Sequence, residues 1–181
     1  LVFLECRVGL EALLLEEISD SRALQGVFEV VHSGSGWIEL RPLKPFSLGQ
    51  LYALRCFSAV GFVLGKLPPL PRAGAPLDAK RLAAFICGGA GRAVFEGFTD
   101  GQVRYRLEFA SRRANESLVR EVTEEVFEKC PNLLNDSRAA LWEVRVWESA
   151  RGISVELTPR LRPDPRFVYR KGDVPAASHP P

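Results

Sequence analysis

The chain has 181 residues, 46% of them hydrophobic and 25% charged, and a formal net charge of +2, the balance of an ordinary globular protein rather than a disordered or fibrous one. That length supports one medium domain or two small ones. No apolar run reaches the ~20 residues a bilayer-spanning helix needs, and the opening LVFLECRVGLEALLLEE carries Glu5, Arg7, Glu11, Glu16 and Glu17 where a secretory leader would be basic and then uncharged, so a soluble protein without a membrane partner is expected.

In chain order, VFLECRV reads as a short strand. LEALLLEEIS then reads as an amphipathic helix, with Leu10, Leu13, Leu14 and Ile18 on one face and Glu11, Glu16 and Glu17 mostly away from it. GVFEVVHSG and GWIELRPL form a hairpin about Ser33-Gly34-Ser35-Gly36, and in the second run Trp37, Glu39 and Arg41 alternate with Ile38, Leu40 and Pro42. SLGQLYALRCF predicts a second helix and SAVGFVLGKL a fourth strand. The order β-α-β-β-α-β is that of a split, ferredoxin-like unit.

Residues 66–76, KLPPLPRAGAP, hold four prolines. A sheet's backbone hydrogen bonds cannot run through such a stretch, so it reads as a stiff spacer rather than a proline ligand. Beyond it, LDAKRLAAFICGG predicts a helix with Leu77, Leu82, Phe85 and Ile86 apolar and Gly88-Gly89 as its stop. AGRAVFEGFTDG contains a strand or a loop. VRYRLEFAS alternates Val103, Tyr105, Leu107 and Phe109 against Arg104, Arg106 and Glu108, and a helix follows with Asn115 as N-cap and Leu118, Val119, Val122 and Val126 inward. LWEVRVWES and GISVELTPR close the unit as two strands around Ala150-Arg151-Gly152. The expected class is α+β.

Catalytic equipment is sparse. His32 and His179 have no evident nucleophile to serve, and GGAGRAV lacks the G-x-G-x-x-G spacing or a following Lys-Ser/Thr of a phosphate loop. The cysteines Cys6, Cys56, Cys87 and Cys130 are far apart and never at C-x-x-C spacing, which fits buried thiols in a reducing cytoplasm and neither a zinc site nor a disulfide scaffold. One stretch stands out: EFASRRANES, where a strand ends, Arg112 and Arg113 follow, and a helix opens. Helix N-termini expose unpaired N–H groups and partial positive charge, so this turn, with Ser111 and Asn115 as further donors, can clamp a phosphate. The competing reading is a pair of solvent-exposed arginines beside a capped helix, and spacing alone favours it. Lys80 and Arg81, and the exit group Arg160, Arg162, Arg166, Arg170 and Lys171, are the other basic candidates. Arg104, Arg106 and Arg145 share a sheet face with Glu108, Glu143 and Glu156, where cross-strand ion pairing is expected. Trp147 alternates opposite Trp142 and either stacks on a base or caps the core.

Four segments in order, GLEALLLEEI, FASRRAN, WEVRVWESARGISVELTPR and RFVYRKGDVPAASHPP, give the chain a resemblance to the amino-terminal half of THUMP-domain RNA methyltransferases, most of all the tRNA guanine-N2 enzymes. The resemblance spans nearly the whole chain. It implies a ferredoxin-like domain over 1–66, a linker over 67–76, a THUMP domain over 77–160, and a connection over 161–181 toward a catalytic domain outside this chain. It also implies that the pair binds tRNA at its 3′ acceptor end, that Ser111, Arg112, Arg113 and Asn115 match the family's basic strand-to-helix turn, and that S-adenosylmethionine is the cofactor of the catalytic domain. Neither a glycine-rich S-adenosylmethionine loop nor an Asn-Pro-Pro-type base-binding motif is found here, so no cofactor and no catalysis are expected of this chain on its own. The alternatives are the corresponding part of a ribosomal RNA guanine-N2 methyltransferase, and a protein-interaction module without an RNA role.

Overall fold

A computed structural model describes residues 1–70, 77–110, 116–149 and 152–161. The first half runs β1 (Val2–Glu5), α1 (Glu11–Asp20), β2 (Phe28–Gly34), β3 (Trp37–Pro42), α2 (Leu48–Tyr52) and β4 (Ala59–Leu67). The second runs α3 (Ala79–Ile86), α4 (Gly89–Phe98), β5 (Val103–Phe109), α5 (Glu116–Lys129), β6 (Leu133–Asn135), β7 (Trp142–Ser149) and β8 (Gly152–Pro159). All eight strands join one sheet in the order β2-β3-β1-β4-β8-β7-β5-β6, a mixed α+β architecture, as the alternating strand and helix signals predict.

The seam between the halves is β4 against β8, antiparallel, with Phe62 opposite Leu157 and Lys66 opposite Ser154. Strand alternation sends Leu4, Ile38, Val60, Val155, Leu157, Val144 and Tyr105 to one face, where they are buried in a single apolar core with Leu14 and Ile18 of α1, Ile86 of α3, Phe95 of α4 and Val122 of α5. The other face of the same strands carries Glu5, Trp37, Glu39, Lys66, Glu156, Arg145 and Trp147. Among the described residues it therefore has the polar pattern of a sheet face without a covering helix.

Local chemistry explains most boundaries. The β2–β3 hairpin turns on Ser35 and Gly36, both at positive φ (55° and 76°), the conformation that matches strand twist in a two-residue loop. Ser47 and Gln50 form a reciprocal capping box on α2, and Asp78 caps α3 by accepting from the amides of Lys80 and Arg81. Where the periodicity of SLGQLYALRCF predicts a longer helix, α2 stops after five residues. Its exit is held by Glu17, which accepts from the backbone N–H groups of Arg55 and Cys56 at 2.9–3.0 Å.

Two expectations are corrected. Gly88-Gly89 does end α3, but only to begin another helix: the stretch read as strand or loop is α4, with Gly88 as its N-cap. Glycine is required there by packing, because a Cβ on Gly91 would strike the carbonyl of Ile86. On α1, Leu14 and Ile18 are buried as expected, whereas Leu13 and the preceding Leu10 are exposed. Among the described residues no helix is long and apolar enough to cross a membrane.

Candidate functional site

Of the basic candidates, Lys80, Arg81 and Arg160 fall within the described residues; Ser111, Arg112, Arg113, Asn115, Arg162, Arg166, Arg170 and Lys171 lie outside them. The flanks of the arginine turn are placed. Ala110 donates its N–H to the Val146 carbonyl at 3.0 Å, extending β5 beside β7, and α5 opens at Glu116. The turn thus links the C-terminal end of β5, the strand next to the sheet edge, to a helix N-terminus. Glu116 sets one negative charge in that first helical turn, which by itself opposes an anion at this helix end.

The described basic groups do not gather at that end. Arg160 follows β8 beside the start of β7: its N–H reaches the Leu141 carbonyl at 2.8 Å, and its guanidinium donates to the carbonyls of Ser137 and Ala140 at 3.4 and 3.3 Å. Phe109 is level with Val146 and Val155, five residues before Arg160 on β8, or ~17 Å along the strand. Arg160 thus ties down the loop that enters β7. Lys80 points to Glu125 at 3.9 Å, nine residues into α5 and so ~14 Å from its first turn. The amides at the start of α3 are occupied by Asp78, which leaves that helix end a poor phosphate cradle.

Ion pairing on the helix-free face follows the sequence expectation. Arg106 bonds Glu143 at 2.6 Å and reaches Glu108 at 3.4 Å, Arg145 sits 3.5 Å from Glu5, and Lys66 bonds Glu39 at 2.6 Å. Arg104 instead pairs with Asp136 at 2.7 Å, beside β6, a strand too short to register as a periodic signal. Burial favours the neutral form of Glu39, but Lys66 and the Trp37 indole, 3.2 Å from the same oxygen, outweigh it and hold the carboxyl below its usual range. Glu156 goes the other way. It is 4% exposed, and burial pushes its carboxyl upward against the weaker pulls of the Ser154 hydroxyl and then of Arg145.

Sign follows from that direction. A folded-state pKa above the unfolded value means the ionised Glu156 destabilises the fold at neutral pH, and the penalty fades as pH falls through the raised pKa toward ~4.5. Glu156→Gln is therefore expected to raise the melting temperature at pH 7, with the difference shrinking toward pH 4.5 in a thermal series. A variant less stable than the parent at pH 7 would show that the carboxylate is stabilising.

The thiols are unbridged. Cys6 and Cys87 are buried and Cys56 and Cys130 half-buried; burial, then the neighbouring Cys130, pushes Cys87 up to about 12, which makes it unreactive. No group of three or more metal-ligating side chains occurs among the described residues. The sequence reading missed an aromatic pair: Trp37 stacks on Phe3 with ring centroids 4.2 Å apart and planes 13° from parallel, and it shares a cavity wall system with Trp147. Trp142 is buried and Trp147 is 45% exposed, which decides against Trp147 as a core cap.

A continuous sheet with helices packed on one face and an alternating polar face defines an α+β scaffold whose counterparts among solved structures are parts of larger proteins. The fold is similar to that of a possible methylase from Clostridium difficile 630 (TM-score 0.54, 13% identity, over 87% of this chain and 40% of that chain). It is also similar to a predicted N6-adenine-specific DNA methylase from Listeria monocytogenes str. 4b F2365 (0.54, 11%, 87% and 39%) and to TrmN from Thermus thermophilus (0.52, 20%, 88% and 45%). The chain thus spans about two fifths of the length of the solved proteins it matches, and identities this low establish a common fold and no more. No protein-family model and no curated protein matches the sequence.

Proposed function

We propose that this chain is the non-catalytic RNA-binding part of an S-adenosylmethionine-dependent tRNA methyltransferase, in which it holds the 3′ acceptor end while a separate domain carries cofactor and chemistry. In this reading residues 1–66 form a ferredoxin-like domain, 67–76 a linker and 77–160 a THUMP domain, with 161–181 leading toward the catalytic domain of a cytoplasmic enzyme of the guanine-N2 class. The observation that carries it is the coverage: most of this chain corresponds in fold to about two fifths of two proteins named as a possible and a predicted methylase. The four sequence segments that resemble THUMP-domain enzymes support it, as does the position of the arginine turn between β5 and α5.

Phosphate contacts would supply affinity and orientation, and the single-stranded end would be taken by shape and backbone. Filter retention with intact tRNA and with tRNA lacking its single-stranded 3′ end tests this. Removal of the end is expected to weaken retention about tenfold, the loss of one to two phosphate contacts and their stacking. Equal retention of both RNAs would contradict an acceptor-end role, and stronger competition by ribosomal RNA would move the assignment to a ribosomal RNA enzyme.

A further inference from the structure

We propose that the helix-free face between Trp37 and Trp147 is a docking surface for a basic, extended segment of a partner polypeptide, whose ammonium or guanidinium group pairs with Glu156. The face holds an open cavity of about 790 Å3 lined by Trp37, Trp147, Glu5, Glu39, Glu156 and Lys66, among others. Its three carboxylates face two cations, Lys66 paired with Glu39 and Arg145 paired with Glu5, which leaves a surplus of one negative charge at Glu156, so a phosphate chain meets net repulsion there while a cation meets attraction.

Glu156 gives the charge a focus. It lines the cavity at 4% exposure, and among the described residues no cation lies within salt-bridge distance of it. Arg145 and Lys66 are paired instead with Glu5 and Glu39. A buried carboxylate without a cation is costly, and a basic side chain entering the cavity relieves that cost. Trp147, diagonal to Glu156 across the β7–β8 pair, offers a π face to the same cation, and Trp37 offers one to a cation farther along the segment.

The dimensions select a chain over a small cation. Trp37 on β3 and Trp147 on β7 are separated by four interstrand steps through β1, β4 and β8, ~19 Å at ~4.8 Å per step, which an extended peptide of about six residues spans. This surface is distinct from the turn between β5 and α5 that the RNA reading uses, so either proposal can fail alone.

The test titrates the full chain with a blocked hexapeptide of alternating glycine and arginine, with its glutamate counterpart, and with hexauridylate, following the indole N–H signals of the three tryptophans by NMR. Trp142 lies on the helix-covered face and is the internal control. The arginine peptide is expected to move the Trp37 and Trp147 signals and leave Trp142 in place, the glutamate peptide to move none, and Glu156→Gln to weaken the arginine peptide about tenfold. Movement of the same two signals by hexauridylate in place of the peptide, or an unchanged peptide affinity in Glu156→Gln, would overturn the proposal.

Discussion

Gly61→Val is expected to lower unfolding stability by roughly 3 kcal/mol, the upper range for overpacking a filled core, because β4 has no room for a side chain at this point. A Cβ there would come within 2.6 Å of the Phe3 ring and 2.7 Å of the Leu157 carbonyl oxygen. Neither neighbour can yield easily. Phe3 is fully buried and stacked on Trp37, and Leu157 belongs to the β4–β8 seam that joins the halves of the sheet. The strain must open one of those strand pairs, a large share of a total stability of about 5–15 kcal/mol. Gly97→Ala supplies the contrast: it lies on α4 with nothing within 4 Å of the added carbon, and it should stabilise by about 0.5–1 kcal/mol through helix propensity. Urea denaturation of the two variants measures both, and a Gly61→Val midpoint equal to the parent's would refute the packing account.

Arg112→Ala combined with Arg113→Ala is expected to weaken tRNA binding about tenfold or more at 0.1 M salt, and to reduce the slope of log K against log salt by about 2, one for each phosphate contact removed. The expectation rests on the placement of the turn's flanks. Ala110 is tied to β7 and α5 begins at Glu116, so the sequence that carries the two arginines leads from a strand end into a helix N-terminus. Lys80→Ala and Arg160→Ala should matter less, since Asp78 occupies the amides beside Lys80 and Arg160 is bound to the carbonyls of Ser137 and Ala140. The three variants compared in one retention series separate a local site from a diffuse basic surface: equal losses for all three would favour the diffuse surface.

Much of this fold was legible because its signals are local. Two-residue alternation marked β3, β5, β7 and β8, the small-residue run Ser33-Gly34-Ser35-Gly36 marked a hairpin, and the apolar spacing of Leu118, Val122 and Val126 marked α5. What failed did so for physical reasons. The glycines of α4 look like punctuation in one dimension, yet Gly91 is there so that one helix can follow another at close range. Leu13 has the right spacing for the core side of α1 but remains exposed, since periodicity assigns a stripe and packing decides how wide it is. The cavity between Trp37 and Trp147 could not be read at all. It exists because β4 pairs with β8, residues some ninety positions apart, and nothing local to either strand specifies that partner. The arginine turn remains a reading of the sequence, supported by the elements on either side of it.

The central claim is that this chain binds RNA through phosphate contacts. Retention of tRNA by the chain over a series of salt concentrations from 0.05 to 0.3 M, an ordinary range for such titrations, tests it most directly. The account predicts measurable retention at low salt that falls steeply and log-linearly as salt rises. Absence of retention at the lowest salt, or retention indifferent to salt, would contradict it.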